Sequence, residues 1–229
     1  MLLLVVDTSG RQGSVALAVC REKTHTYEIV ECVPLTGGTF SAELIPRIAA
    51  LLTQHNLNLK QVEGFVVVSG PGSFTGLRIG LAAVKGLAEV LERPIAAVSL
   101  LEVLAVSSGI KGRVLAMIDA GRNEFYRGEY EIHESRAKVI SERLLTRREL
   151  LEFAAEATIV TSDKTIADLI RIGELPIHEV APSMETIAKL GYEKIVEGQI
   201  VTPENLEANY IRRSDPEVLR EKQFLAGGS

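Results

Sequence analysis

The residues of this 229-residue chain that could do chemistry sit at two kinds of place: an aspartate closing an apolar run, and a glycine-rich turn. Asp7 closes the run from Leu2 and opens DTSG, which contains Ser9; Asp119 closes a run from Val114 and opens DAGRNEF. Gly70, Pro71, Gly72 and Ser73 make the turn of GPGSFTGLRIG, between a buried apolar run and a helix rich in small residues. Such turns hold phosphate when their backbone N–H groups converge on the anion at the helix start. A serine nucleophile needs a base and an orienting acid. Ser73 has no histidine placed to serve it, and GPGSFTG is not a nucleophile elbow. Its hydroxyl is expected to accept a free N–H at the helix start. Two imidazoles on one helix face would suit a metal, but His25, His55, His133 and His178 include no pair four residues apart. No catalytic residue and no metal ligand is therefore expected. Asp7 and Asp119 read as strand-end Asx turns, with nucleotide contact at Asp7, Ser9, Gly70, Pro71, Gly72 and Ser73 as the alternative.

These residues need a scaffold, and 46% hydrophobic composition over this length suffices to bury one. Strands are expected at Leu2–Val6, Ser14–Cys20, Thr26–Val33, Phe65–Ser69 and Ile95–Val98. Helices are expected from Ser41 as cap to about His55, over Thr75–Leu91, and from Ser99 as cap to about Ser107. From Val114 the same order recurs. VLAMIDAGRNEFYRGEY echoes LLLVVDTSGRQGSVALA, with Asp119 where Asp7 stood. A strand near Lys138–Glu142, a helix from about Arg147, a strand at Thr158–Thr161 and a helix near Thr165–Ile172 follow. A strand at His178–Val180 and a helix at Met184–Glu197 complete the set. Gly109–Gly112 is a short turn-forming boundary, giving lobes of residues 1–110 and 111–229. One mixed sheet without internal symmetry is the competing reading.

Net charge −5, from 25 Lys+Arg against 30 Asp+Glu, argues against a stand-alone nucleic-acid binder. The opening MLLLVVDTSG lacks a basic region and a small-residue cleavage site, so it reads as a buried strand and not as a signal peptide. No apolar run is long enough to span a membrane. Two cysteines, Cys20 and Cys32, are too few for a disulfide framework and read as buried, reduced thiols in a cytoplasmic protein.

Four segments in order, VVDTSG, GPGSFTGLRIG, IDAGRNEFY and NYIRRSD, make nearly the whole chain similar to the TsaB (YeaZ) family. The resemblance implies an α/β, duplicated actin-like (ASKHA, ribonuclease H-like) fold with two mixed-sheet lobes flanked by helices. It implies a non-catalytic subunit needed for threonylcarbamoyl modification of adenosine in tRNAs that read codons starting with A. The implied partners are a TsaD-like catalytic subunit and a TsaE-like ATPase, with a homodimer in their absence and tRNA met only through the complex. No cofactor is expected on this chain alone, with ATP or ADP at the complex interface. One departure stands out: where the family often has histidine before Ser/Thr-x-x-Leu-Leu-Pro, this chain has Phe40 in FSAELIP. Rivals are an actin-like ATPase acting alone, on the look of DTSG, and a glycoprotease-like hydrolase. Arg122, Glu124 and Phe125 encumber the second loop against phosphate.

In the helix Thr75–Leu91 the strongly polar members Arg78, Lys85 and Glu89 share one narrow stripe. The helix is expected to be covered on two sides, by its own sheet and by a partner. Its interface residues are Gly76, Leu77, Gly80, Ala83, Val84 and Leu87, with Gly76 and Gly80 admitting a partner helix at close range, and packing of this small-residue ridge within the chain is the alternative. The helix Ala42–Leu52, polar at Glu43 and Arg47, adds Leu44, Ile45, Ile48, Leu51 and Leu52. The basic run of Arg212, Arg213, Arg220 and Lys222 reads as a solvated tail, with tRNA or partner contact as the alternative.

Overall fold

The computed structural model describes residues 1–21, 26–134, 136–149, 158–172, 176–209 and 211. Leu3 to Val6 have no exposed surface, which places this unbroken apolar strand, β1 (Leu2–Asp7), at the centre of a sheet covered on both faces. It pairs antiparallel with β2 (Gly13–Arg21), which pairs with β3 (Thr26–Leu35). On its other side β1 runs parallel to β4 (Gly64–Gly70), and β4 to β5 (Ile95–Ser99), giving the order β3-β2-β1-β4-β5. The second sheet repeats this with β6 (Gly112–Gly121) at the centre: β7 (Glu124–His133) and β8 (Arg136–Thr146) antiparallel on one side, β9 (Thr158–Thr161) and β10 (Ile177–Glu179) parallel on the other. Asp7, the last residue of β1, and Asp119, two residues before the end of β6, lie at the same end of equivalent central strands, so the chain is a duplicated actin-like, ribonuclease H-like α/β fold.

Helices α1 (Phe40–Gln54) and α2 (Phe74–Leu91) cover the outer face of the first sheet; Leu44, Ile48 and Leu51 meet Leu77, Leu81 and Val84 there above Val6 and Val67. Helix α3 (Leu100–Ser107) follows the first sheet in sequence but lies against β6, β7 and β8 of the second. Helix α4 (Lys164–Ile172) covers the second sheet's outer face. Helix α5 (Met184–Val196), expected in the second lobe, instead packs across all five strands of the first sheet. The two lobes therefore share one core between the sheets, running from Leu3 and Val66 through Leu101 and Ile187 to Ala116 and Tyr130. Lys194 of α5 reaches the buried Glu102 of α3 at 3.4 Å within that layer.

Three local expectations are corrected. Helix α1 starts at Phe40, so Ser41 lies in its first turn; the residue before it, Thr39, gives its hydroxyl to Glu43 instead of capping. Ser99 precedes α3 but sends its hydroxyl to Glu142. Cys20 is buried, whereas Cys32 lies exposed on the edge strand β3, and both are free thiols. The helix expected from Arg147 is described only to Glu149, and the basic run from Arg212 lies outside the described residues. No helix among the described residues is long and apolar enough to cross a membrane.

Candidate functional site

The two aspartates make the same turn. Asp7 Oδ1 accepts the Ser9 N–H at 2.9 Å and the Ser9 hydroxyl at 2.6 Å, and Asp119 Oδ1 accepts the Gly121 N–H at 2.8 Å. Their surroundings differ. Asp7 is buried, and burial raises its carboxyl above the ordinary range against the lowering effect of both Ser9 hydrogen bonds. Asp119 is exposed at the mouth of a cleft between the lobes. That cleft, about 630 Å³, is walled by Ser9, Arg11, Gly72 and Ser73 on one side and by Asp119, Tyr126, Asp163 and Lys164 on the other.

The glycine turn is fastened to the first of these turns. The Ser73 N–H donates to the Ser9 carbonyl at 2.7 Å, and the Ser73 hydroxyl accepts the Gly76 N–H at 3.3 Å, capping α2. Gly70 has φ +119°, a conformation that side chains resist, and it precedes a cis Gly70–Pro71 bond. Gly72 has no positive φ; a Cβ there would strike the Ser9 carbonyl. The N–H groups of Ser9, Ser73 and Gly76, which a phosphate cradle would use, are therefore already met by protein acceptors. Among the described residues no group of three or more His, Cys, Asp and Glu is arranged to hold a metal ion.

Most residues assigned to the partner interface face inward. Leu44, Ile48, Leu51, Leu52, Leu77 and Val84 belong to the core between the helices and the first sheet. Gly76 and Gly80 press on Thr8: added Cβ atoms would run into its carbonyl and its hydroxyl respectively. The small residues thus let α2 approach the strand-end turn of its own lobe, and no partner helix can enter there. Ala83 and Leu87 are half-buried. Only Ile45, 49% exposed, points out among the eleven. Sequence reasoning missed the outward residues: Ala42 and Ala49 beside Ile45 on α1, and Phe74, Ala82 and Gly86 on α2. Phe74 is 45% exposed and carries the Arg78 guanidinium 3.8 Å above its ring. Polarity masks this strip, because Arg78 and Glu89 share the same outward side. Phe40 is buried, close to the backbone of Gly13 and Gly76, so the position where the family often has histidine is a packing position here.

With this geometry in hand, comparison with known proteins is consistent. A family model described as "TsaD: tRNA N6-adenosine threonylcarbamoyltransferase" matches residues 34–187. The Escherichia coli tRNA threonylcarbamoyladenosine biosynthesis protein TsaB is 27% identical, covering 93% of this chain and 96% of that one. The Bacillus subtilis protein of the same name is 35% identical over 57% of this chain and 56% of its own length. The solved structure of YeaZ from Pseudomonas aeruginosa superposes with a TM-score of 0.74, at 27% identity, over 91% of this chain and 99% of that one. The chain belongs to the TsaB (YeaZ) family, within the wider family that the TsaD model describes.

Proposed function

We propose that this chain is a non-catalytic subunit in tRNA threonylcarbamoyladenosine biosynthesis, acting as scaffold and activator of a TsaD-like catalytic partner alongside a TsaE-like ATPase. The names of its relatives support the pathway. The observation that carries the scaffold role is the outward strip of Ala42, Ile45, Ala49, Phe74 and Ala82 on two adjacent helices. Apolar side chains left exposed at helical spacing on two packed helices suit a binding surface. In the absence of the catalytic subunit the same strip pairs two copies of this chain. Transfer RNA meets the chain only within the complex, which suits a net charge of −5. ATP or ADP belongs to the complex interface and not to this chain alone, a reading supported by the internal hydrogen bonds of the Ser9, Ser73 and Gly76 amides. The assembly works in the cytoplasm, where tRNA is modified.

The inward positions make poor probes, because Gly80→Arg or Leu51→Glu would test the fold and not the surface. Ile45→Glu is the informative change, placing an unpaired charge in the interface while leaving the core untouched. The variant should keep its circular dichroism and melting temperature yet lose capture of the TsaD-like protein in pull-down and size exclusion. A folded Ile45→Glu protein that still captures that partner overturns the assignment. The cleft favours a second reading, an ATPase acting alone. Steady ATP turnover by the isolated chain would promote it.

A further inference from the structure

Asn209 belongs to the NYIRRSD segment, for which neither the fold nor the proposed interface gives a use. It lies half-buried between the lobes and touches both. Its N–H donates to the Ser69 carbonyl at 2.8 Å, at the end of β4. Its own carbonyl would sit 3.3 Å from a Cβ on Gly70, the first residue of the turn that leads into α2. Its Nδ2 donates to Glu142 Oε2 at 2.8 Å. The other oxygen of that carboxylate accepts the Ser99 hydroxyl at 2.5 Å and the Tyr130 hydroxyl. Ser99 ends β5 of the first sheet, Tyr130 lies on β7 and Glu142 on β8 of the second.

One carboxylate thus gathers donors from both sheets and from the segment braced on the glycine turn. Hydrogen bonds to an ionised acceptor are shorter and stronger than neutral ones. Losing a partner leaves a half-buried polar group unmet, which weakens the whole set. We propose that Glu142 is a positioning residue: through Asn209 it locks the Gly70–Ser73 turn, and so the start of α2, in the orientation the partner surface requires. The proposal rests on the reading of α1 and α2 as that surface.

The test exchanges polarity across the Glu142–Asn209 contact. Glu142→Gln leaves only a neutral amide–amide hydrogen bond where a charge-assisted one stood, Asn209→Asp sets carboxylate against carboxylate, and the double variant restores a donor facing a carboxylate. Hydrogen exchange is followed on the full chain, at residues 70–78 and, as control, at 114–118 in β6; affinity for the TsaD-like partner is measured alongside. Each single variant should speed exchange at 70–78 by roughly tenfold, the scale of one charge-assisted hydrogen bond, with 114–118 unchanged. Partner affinity should fall by a similar factor, and the double variant should recover most of both. Wild-type exchange at 70–78 in the single variants overturns the proposal. So does an equal rise at 114–118, which marks a general loss of stability, or a double variant no better than the worse single. Should Glu142→Gln not fold, Asn209→Ala cuts the link while leaving Ser99 and Tyr130 on the carboxylate, and is read the same way. The interface reading fails separately, by Ile45→Glu retaining the partner while exchange at 70–78 still responds to the swap.

Discussion

Adding one methyl group at two glycines of the same helix should have opposite effects. At Gly76 the new Cβ would run into the Thr8 carbonyl, a buried backbone atom directly after β1, and would lie 3.2 Å from Ser73 Oγ and 3.3 Å from Phe40 Cε2. Relief requires the start of α2 to lift off the sheet by about 1 Å, which loosens the Ser73 cap and the contacts of Leu77 and Leu81 below it. Overpacking of this kind costs about 2–3 kcal/mol. For a chain of this length that lowers the melting temperature by about 4–12 °C. At Gly86 a Cβ meets nothing within 4 Å. Alanine there should stabilise the helix by about 0.5–1 kcal/mol, the usual advantage over glycine. Thermal melts followed by circular dichroism compare Gly76→Ala, Gly86→Ala and wild type at one pH. A Gly76→Ala protein that melts at or above wild type would refute the claim that this glycine serves close packing within the chain. It would return the small-residue ridge to a partner helix.

Three further outcomes follow from buried polar groups. Burial raises the Asp7 carboxyl above its ordinary value of 3.8, so the folded chain holds that proton more tightly than the unfolded one. Its contribution to stability is full below that value and is lost as pH rises through the window above it. Asp7→Asn, which can still accept from Ser9, should therefore melt higher than wild type at pH 7 and lose the advantage below about pH 4; an equal difference at both pH values contradicts this. Burial works to raise the Glu129 carboxyl, but hydrogen bonds from Arg113 and Arg127 hold it below its ordinary range. Since Arg127 is itself buried, Glu129→Gln should cost about 3 kcal/mol in urea unfolding, and a loss under about 1 kcal/mol, the scale of an exposed pair, would show that water reaches this pair. Tyr130→Phe removes one donor from Glu142 and should cost about 1–2 kcal/mol by the same measurement, with no change expected only if water already replaces that contact.

The duplication was legible because it is written in local order: an apolar run, an aspartate and a turn, twice, at Asp7 and Asp119. The Ser73 cap was legible for the same reason, since it is settled by residues within a few positions. What distant segments decide was not. The helix Thr75–Leu91 shows apolar and small residues on most of its surface, and its period alone does not say which of them meet its own lobe. The Thr8 carbonyl lying against Gly76 and Gly80 settles that, and it belongs to another element. Leu51 and Val84 were assigned outward for the same reason. Helix α5 followed the second sheet in sequence, yet Ile187 and Leu190 have their apolar surface completed by the first. The contacts that converge on Glu142 come from Ser99, Tyr130 and Asn209, three segments with no common periodicity. Ser99 and Ser41 have the composition of caps, but a carboxylate in reach of Ser99 and an earlier start for α1 gave them other surroundings.

The central claim is tested most directly by rebuilding the tRNA modification from purified parts. A TsaD-like protein, a TsaE-like ATPase, tRNA and the small-molecule substrates are combined, and threonylcarbamoylated adenosine is counted by mass spectrometry of digested tRNA. Modification should require this chain, should fail with folded Ile45→Glu in its place, and should be absent when this chain is the only protein supplied. Modification that proceeds equally well without the chain, or that this chain carries out by itself, would contradict the account.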